Sequence, residues 1–212
     1  GAGGSIGSEL CRQILSFAPG RLLLLDANDS NLYAIQMELE HERGFTAYLP
    51  LLGSLTDRAW TDWVLDTYRP EVIFHAAAYK HVPMLEENPW QAVTNNILAT
   101  AHLVDAAVSR GVGRLLVVST DKAVRPTNVM GASKRLTERI MQANCGRGTR
   151  LSAVRFGNVI GSAGSVVPLF RRQIEHGGPV TVTHPQVTRY FMTIEEACQL
   201  ILQAGCMGDH GE

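Results

Sequence analysis

Lysine is scarce in this chain, and each lysine lies beside other residues that could take part in chemistry. The 212 residues include sixteen arginines but only three lysines. An arginine stays protonated, whereas a lysine in a desolvated pocket can lose its proton and act as a base. The three positions therefore indicate acid–base chemistry, unless they are a chance scatter of surface charge. They lie in Tyr79-Lys80-His81, Thr120-Asp121-Lys122 and Ser133-Lys134.

The densest polar group is Ser119-Thr120-Asp121-Lys122, which directly follows an apolar, strand-like run. Ligands of open α/β sheets bind beyond the carboxyl ends of the strands, so this group is expected in a site. Met130 and Lys134 lie four residues apart on the helix that follows, and they share one face of it. The alternative is that Asp121 and Lys122 form a surface pair in a turn.

A glycine-rich segment opens the chain. Gly1, Gly4 and Gly7 have the spacing Gly-x-x-Gly-x-x-Gly, and Ser5 and Ile6 begin an amphipathic helix there. Such glycines let the backbone approach a pyrophosphate, while the first helical amides point at the phosphates. A glycine-rich turn before any helix would look the same, so this motif alone predicts a dinucleotide only weakly.

Asp26 strengthens the prediction of a dinucleotide site. It ends the next apolar strand at about the 20-residue distance at which an acidic residue accepts hydrogen bonds from the adenosine ribose. A carboxylate there would repel a 2′-phosphate, so we predict NAD rather than NADP. A helix N-cap role for Asp26 or Asn28 is the alternative.

Two further sequence features fit a cofactor. Ala76 and Ala77 follow a strand and would let a ring or ribose lie against the backbone, although a packed alanine run is equally ordinary. Asn96 lies on the inner face of a long helix, where a buried amide needs partners. We predict that it orders the loop holding Ser119.

Strand-like and helical patterns alternate along the chain, which predicts a doubly wound parallel α/β sheet in one domain of residues 1–212. We expect residues 157–192 to form the substrate-binding side. No strand precedes the glycine-rich loop, so we expect the first strand and a C-terminal part to be missing. Predicted helices span 5–17, 31–43, 57–68, 89–110, 131–144, 166–176 and 193–205; predicted strands span 21–26, 46–52, 72–76, 114–119, 151–156 and 180–183.

Composition excludes several classes of function. The formal net charge is -1 and no basic run occurs, so nucleic acid and anionic membrane are not expected as partners. No apolar run reaches the ~20 residues of a bilayer span, and we expect no signal peptide. We predict a soluble chain without membrane contact and without a metal. The four cysteines are expected to be reduced thiols in the cytoplasm: Cys11, Cys145, Cys198 and Cys206.

Together these motifs resemble the extended short-chain dehydrogenase/reductase superfamily, whose members have a tyrosine and a lysine at positions 130 and 134. Here methionine replaces the tyrosine, and no Tyr-x-x-x-Lys occurs anywhere. The sequence is most similar to the bacterial UDP-N-acetylglucosamine 4,6-dehydratases of polysaccharide biosynthesis, of the large membrane-tethered type. These carry Ser-Thr-Asp-Lys and the same methionine. The resemblance covers residues 1–10, 75–83, 119–134, 155–170 and 189–193.

The resemblance implies an NAD(P)-binding Rossmann fold, a UDP-sugar substrate and a set of catalytic roles. Hydride leaves the fourth sugar carbon, water is lost across the fifth and sixth, and the hydride returns to the sixth. Asp121 would be the acid, Lys122 the base, and Thr120 would hydrogen-bond the fourth-carbon hydroxyl. Lys134 would bind the nicotinamide ribose, while Met130 cannot act as acid or base.

The resemblance also implies substrate-binding residues and an assembly. Lys80 and His81 lie in the substrate-side loop, Asn158 would contact the sugar or diphosphate, and Arg189 suits the diphosphate through a bidentate contact. A solvated loop lysine and a plain salt bridge are the alternatives for Lys80 and Arg189. A homo-oligomer is implied, as is a full-length protein tethered to the inner membrane with its catalytic domain in the cytoplasm.

Two other functions remain open from the sequence. A UDP-sugar 4-epimerase shares the fold but needs a tyrosine where Met130 stands and has no need of adjacent Asp121 and Lys122. A non-catalytic NAD(P)-sensing module would need neither. The remaining histidines show no ligand spacing and are interpreted as structural: His41, His102, His176, His184 and His210.

Overall fold

Strands and helices alternate in the computed structural model, which describes residues 1–182, 184–208 and 211. The strands are β1 (Leu22–Asp26), β2 (Tyr48–Leu52), β3 (Val72–His75), β4 (Arg114–Thr120), β5 (Arg150–Phe156), β6 (Asn158–Val159) and β7 (Phe191–Met192). The helices are α1 (Ser5–Ile14), α2 (Asp29–Met37), α3 (Arg58–Tyr68), α4 (Val82–Glu87), α5 (Pro89–Gln91), α6 (Ala99–Ser109), α7 (Val129–Ala143), α8 (Val166–Glu175) and α9 (Ile194–Met207). Short 3₁₀ turns cover Leu15–Phe17 and Asp121–Ala123, and π-helical segments cover Glu38–Glu42 and Ala92–Leu98.

All strand pairs in the described residues are parallel. β1 pairs with β2, β4 lies between β3 and β5, and the two short strands β6 and β7 pair with each other. Parallel strands need a crossover between them, and helices supply these crossovers here. The predicted parallel α/β class is therefore confirmed.

The core is divided by β4 into two apolar layers. Leu115 and Val117 pack with side chains of α6 and α7. Leu116 and Val118 face the opposite way, toward α1 and α9. Because successive side chains of a strand point to opposite faces, this uninterrupted apolar run is buried on both sides. The strand that carries Ser119 and Thr120 at its end is thus held by helices on both faces.

The predicted strand at 180–183 is wrong over residues 180–182, which form no strand; residue 183 lies outside the described residues, as does His210. Val180 and Val182 are 38% and 58% exposed, so no core face favours pairing there. The sequence also missed β6 and β7, because two residues show no periodicity. It missed α4 as well, although Leu85 of this helix is buried.

His75, at the end of β3, makes the stability of the fold depend on pH. The ring is buried, and its Nε2 lies 2.9 Å from Thr100 Oγ1. Burial, followed by the charge of Lys134, lowers the pKa of His75 to about 3. An unfolded chain therefore binds a proton at pH values where the native protein does not, so stability is lost as the pH falls from 6.5 toward 3.

We expect His75 to contribute on the order of 4 kcal/mol to this loss, since one pKa unit corresponds to about 1.4 kcal/mol. His75→Gln keeps an amide that can bond Thr100 but cannot titrate in this range. Urea unfolding of both proteins between pH 7 and pH 3 measures the difference. Equal slopes of the unfolding free energy against pH would contradict this role for His75.

Candidate active site

The polar group predicted to be catalytic lies at the carboxyl end of β4. Lys122 Nζ donates to Asp121 Oδ1 at 2.9 Å and to Asn158 Oδ1 at 3.2 Å. Thr120 Oγ1 donates to the same Asp121 oxygen at 2.9 Å. The fold therefore brings three adjacent residues and Asn158, from the short strand β6, into one hydrogen-bonded cluster.

The charge state of this cluster follows from its contacts. Partial burial raises the pKa of Asp121, but hydrogen bonds from Lys122 and Thr120 outweigh it, so the pKa lies below its ordinary value. Asp121 and Lys122 thus form a carboxylate–ammonium pair in this state. Both side chains are partly exposed, so substrate can reach them.

Helix α7 begins directly against Lys122. Asn128 caps the helix by accepting from the Gly131 amide at 2.8 Å. A Cβ atom at residue 131 would overlap the Lys122 carbonyl oxygen. Glycine is therefore required for this close approach. No role for Gly131 was predicted from the sequence. The signal that could have indicated one is its position at a helix start, between Met130 and Ser133.

Lys134 is buried in α7, where its Nζ donates to the Val118 carbonyl oxygen at 2.8 Å. Burial lowers the pKa of Lys134 to about 8, and the charge of Glu138 partly offsets this effect. Met130, one turn earlier, packs with Leu85 and Ala92 in an apolar cluster. Residue 130 is therefore an apolar side chain among apolar neighbours.

Asn96 lies in the π-helical segment and is buried, as predicted, but it holds a different loop. Its Oδ1 accepts from the Tyr79 amide at 2.9 Å, and its Nδ2 donates to the Tyr79 carbonyl at 3.0 Å and to Ser133 Oγ at 3.1 Å. The prediction that Asn96 orders the loop of Ser119 is wrong, because its partners are Tyr79, in the segment after β3, and Ser133, in α7. Asn96 therefore links the segment after β3 to α7.

Asp26 fastens the glycine-rich loop to the end of β1. Its Oδ2 accepts from the Gly3 amide at 2.8 Å, and its Oδ1 accepts from the Asn28 amide at 2.9 Å. Asn28 caps α2 by accepting from the Asn31 amide at 2.8 Å. Of the two residues considered as N-caps, Asn28 therefore caps α2. The Asp26 carboxylate instead binds the glycine-rich loop at the end of β1.

Two glycines of the glycine-rich loop have no room for a side chain. A Cβ atom on Gly7 would overlap the Gly1 carbonyl oxygen, and one on Gly1 would lie 2.8 Å from the Ala77 nitrogen. Gly4 is the N-cap residue of α1 and has no side chain to cap the helix. The first amides of α1 are thus left for a ligand, which is the arrangement that binds phosphate at helix N-termini. Ser5 and Ile6 supply two of these amides, and Ala76 and Ala77 lie beside the loop.

The predicted substrate residues are only partly brought together. Asn158 joins the hydrogen-bonded cluster of Asp121 through Lys122. The His81 ring packs against Gly164, so the loop after β3 contacts the 157–192 region. Lys80 and Arg189 are exposed, and within the described residues neither bonds to Asp121 or Lys122. A cavity of about 660 Å³ between α1 and α9 lies elsewhere and is lined in part by Gln13, Phe17 and Leu202.

Comparison with known proteins decides the family. The family model described as "Polysaccharide biosynthesis protein" matches residues 1–212. The chain belongs to the polysaccharide biosynthesis protein family. One curated relative is the capsular polysaccharide biosynthesis protein CapD of Staphylococcus aureus. The two sequences are 48% identical over 100% of this chain and 36% of the length of CapD. The probable polysaccharide biosynthesis protein EpsC of Bacillus subtilis is 49% identical over 98% of this chain and 35% of its own length. This chain thus spans about a third of the length of these two relatives.

A curated enzyme and two solved structures are also similar to this chain. A UDP-glucose 4-epimerase of Rickettsia akari is 42% identical over 67% of the chain and 43% of its own length. The structure of Pen from Bacillus thuringiensis superposes with a TM-score of 0.90 at 31% identity, covering 98% of this chain and 66% of that one. Another similar structure is that of DesIV, a dTDP-glucose 4,6-dehydratase of Streptomyces venezuelae, solved as a double mutant with NAD and DAU bound. It superposes with a TM-score of 0.85 at 23% identity, covering 100% of this chain and 72% of the DesIV chain. At that identity DesIV supports the fold alone.

In the part of the chain that the structure describes, each helix is too short or too polar to cross a bilayer. In the same part of this polysaccharide biosynthesis protein, no three His, Cys, Asp or Glu side chains are grouped as metal ligands would be.

Proposed function

We propose that this chain is the NAD-binding and catalytic part of a UDP-N-acetylhexosamine 4,6-dehydratase that supplies a 4-keto-6-deoxy sugar for cell-surface polysaccharide. The contact between Asp121 and Lys122 at the end of β4 carries the proposal. Water loss needs an acid and a base at one face of a sugar ring, and this pair provides both. The open amides of α1 and the Asp26 carboxylate support a dinucleotide beside it.

The proton inventory of the pair fits this reaction. The pair shares one transferable proton, which is on Lys122 in the observed ion pair. Transfer of this proton across the 2.9 Å contact to Asp121 would leave a neutral amine and a neutral carboxylic acid. Desolvation by a bound substrate favours this neutral form. Lys122 then takes the fifth-carbon proton while Asp121 gives its proton to the departing sixth-carbon hydroxyl. The pair returns to its starting charge as water leaves.

Bound NAD would supply the hydride acceptor at the fourth carbon and the hydride donor at the sixth. Thr120, which donates a hydrogen bond to Asp121, is proposed to bond the fourth-carbon hydroxyl. Lys134, buried one turn into α7, is proposed to hold the nicotinamide ribose. Asn158, Lys80, His81 and Arg189 are proposed to bind the sugar and diphosphate, with residues 157–192 forming that side of the site. We further propose a homo-oligomer that works in the cytoplasm.

A UDP-sugar 4-epimerase is the second candidate, because the Rickettsia enzyme is similar over two thirds of the chain. Two features of the site favour the dehydratase. Met130 lies in an apolar cluster and offers no acid or base, and an epimerase has no need of the pair formed by Asp121 and Lys122.

Incubation of the full-length protein with UDP-N-acetylglucosamine separates the candidates. We expect a product lighter by one water, measured by mass spectrometry, with no net NADH in the absorbance spectrum. An isomer of unchanged mass would identify an epimerase. Absence of turnover with NAD bound would favour a sensing module.

A further inference from the structure

Glu138 is a buried carboxylate in α7 to which the proposed chemistry assigns no role. Its side chain is 5% exposed. Oε1 accepts from Ser119 Oγ at 2.5 Å and from Arg155 Nε at 2.7 Å, while Oε2 accepts from Arg155 Nη2 at 2.6 Å and from Arg135 Nη1 at 3.1 Å. Burial raises the pKa of Glu138, but these bonds, led by Arg155, lower it below its ordinary value. Glu138 is therefore ionised and fully hydrogen-bonded.

The partners of Glu138 lie where the strands end. Ser119 and Arg155 are paired in the register of β4 and β5, and each is the last but one residue of its strand. One turn earlier in α7, Lys134 holds the carbonyl oxygen of Val118. Helix α7 thus fixes two consecutive residues of β4, immediately before Thr120-Asp121-Lys122.

An ion pair needed only for stability would not require the serine. Arg155 already makes a bidentate contact with Glu138, which satisfies one side of the carboxylate. The short bond from the Ser119 hydroxyl adds a neutral donor from the strand end itself. A buried charge is also costly compared with an apolar side chain of similar size. The arrangement therefore favours a role in fixing geometry.

We propose that Glu138 is a positioning residue: through Ser119 it sets the direction in which Thr120, Asp121 and Lys122 leave β4 and face the sugar. This inference rests on the proposed dehydratase function. A displacement of about 1 Å at reacting groups can lower the rate roughly 100-fold. Loss of the hydrogen bond between Ser119 and Glu138, next to Thr120-Asp121-Lys122, could therefore lower the rate measurably.

The test compares Ser119→Ala, Glu138→Gln and the double variant in the full-length enzyme. Ser119→Ala keeps both arginine contacts of Glu138, so it tests the proposal even where Glu138→Gln folds poorly. We expect each single variant to lower kcat about tenfold to 100-fold and to change KM for the UDP-sugar less than threefold. Since both act through one bond, the double variant should lose no more than the stronger single variant.

Glu9→Gln is the matched control, because Glu9 is also a buried carboxylate and pairs with Arg12 at 2.7 Å, but on α1. It should keep the wild-type kcat even where its unfolding temperature falls. Unchanged kcat in Ser119→Ala and Glu138→Gln, or losses that multiply in the double variant, would overturn the proposal.

Crystal structures of the same variants give an answer that does not depend on turnover. Displacement of the Thr120–Lys122 backbone in both single variants is expected, and an unmoved turn in both would overturn the proposal. Absence of water loss in the wild-type enzyme would instead refute the dehydratase function, while the structures would still decide the positioning role.

Discussion

Lys122→Met is expected to lower the rate of water loss from the UDP-sugar by roughly 10³-fold, within the range that a general acid or base contributes. Methionine has a similar length and volume but accepts no proton. Asp121→Asn should cause a loss of similar size, because the amide cannot donate as a carboxylic acid does. NAD binding should stay nearly unchanged in both, since neither residue contacts the glycine-rich loop. Single-turnover kinetics with the UDP-sugar and calorimetry with NAD measure the two effects.

Lys122→Arg separates a base from a mere positive charge. Arginine keeps the charge that pairs with Asp121 and can bond Asn158, but its guanidinium stays protonated. We expect Lys122→Arg to be nearly as inactive as Lys122→Met. Arg110→Met, which breaks an ion pair with Asp66 on α3, is the control and should retain full turnover. Normal water loss in Lys122→Arg would remove the role of Lys122 as base.

Gly7→Ala is expected to weaken NAD binding by roughly 100-fold. The added Cβ atom would overlap the Gly1 carbonyl oxygen, so the loop must move away from α1. Each hydrogen bond lost to a charged phosphate is worth about 1.5–3 kcal/mol, and 1.4 kcal/mol is a factor of ten in affinity. Calorimetric titration with NAD measures the loss.

Gly20→Ala provides the matched control for this substitution. A Cβ atom at Gly20 meets no atom within 4 Å, so the same chemical change should leave NAD affinity unaltered. Circular dichroism of both variants shows whether the fold is kept. Wild-type affinity in a folded Gly7→Ala variant would mean that the dinucleotide does not lie on this loop.

Local sequence patterns predicted most of the regular structure. The run from Leu115 to Val118 is apolar without alternation, which is typical of a strand buried on both faces, and β4 has this position. Helix α7, which has a clear apolar stripe, was predicted within two residues of its bounds. The strand expected at 180–183 is absent over residues 180–182, because β-branched residues form a strand only where a partner strand or core face is present.

The sequence by itself determined the parallel α/β class, the glycine-rich loop and the adjacency of Asp121 and Lys122, because these depend on neighbours in the chain. Only the tertiary structure decided which distant partners they have. Lys122 meets Asn158 across 36 residues, Ser119 meets Glu138 across 19, and Tyr79 meets Asn96 across 17. Such contacts depend on how α7 and the π-helical segment pack on the strand ends, and side-chain periodicity does not encode the position of one element on another.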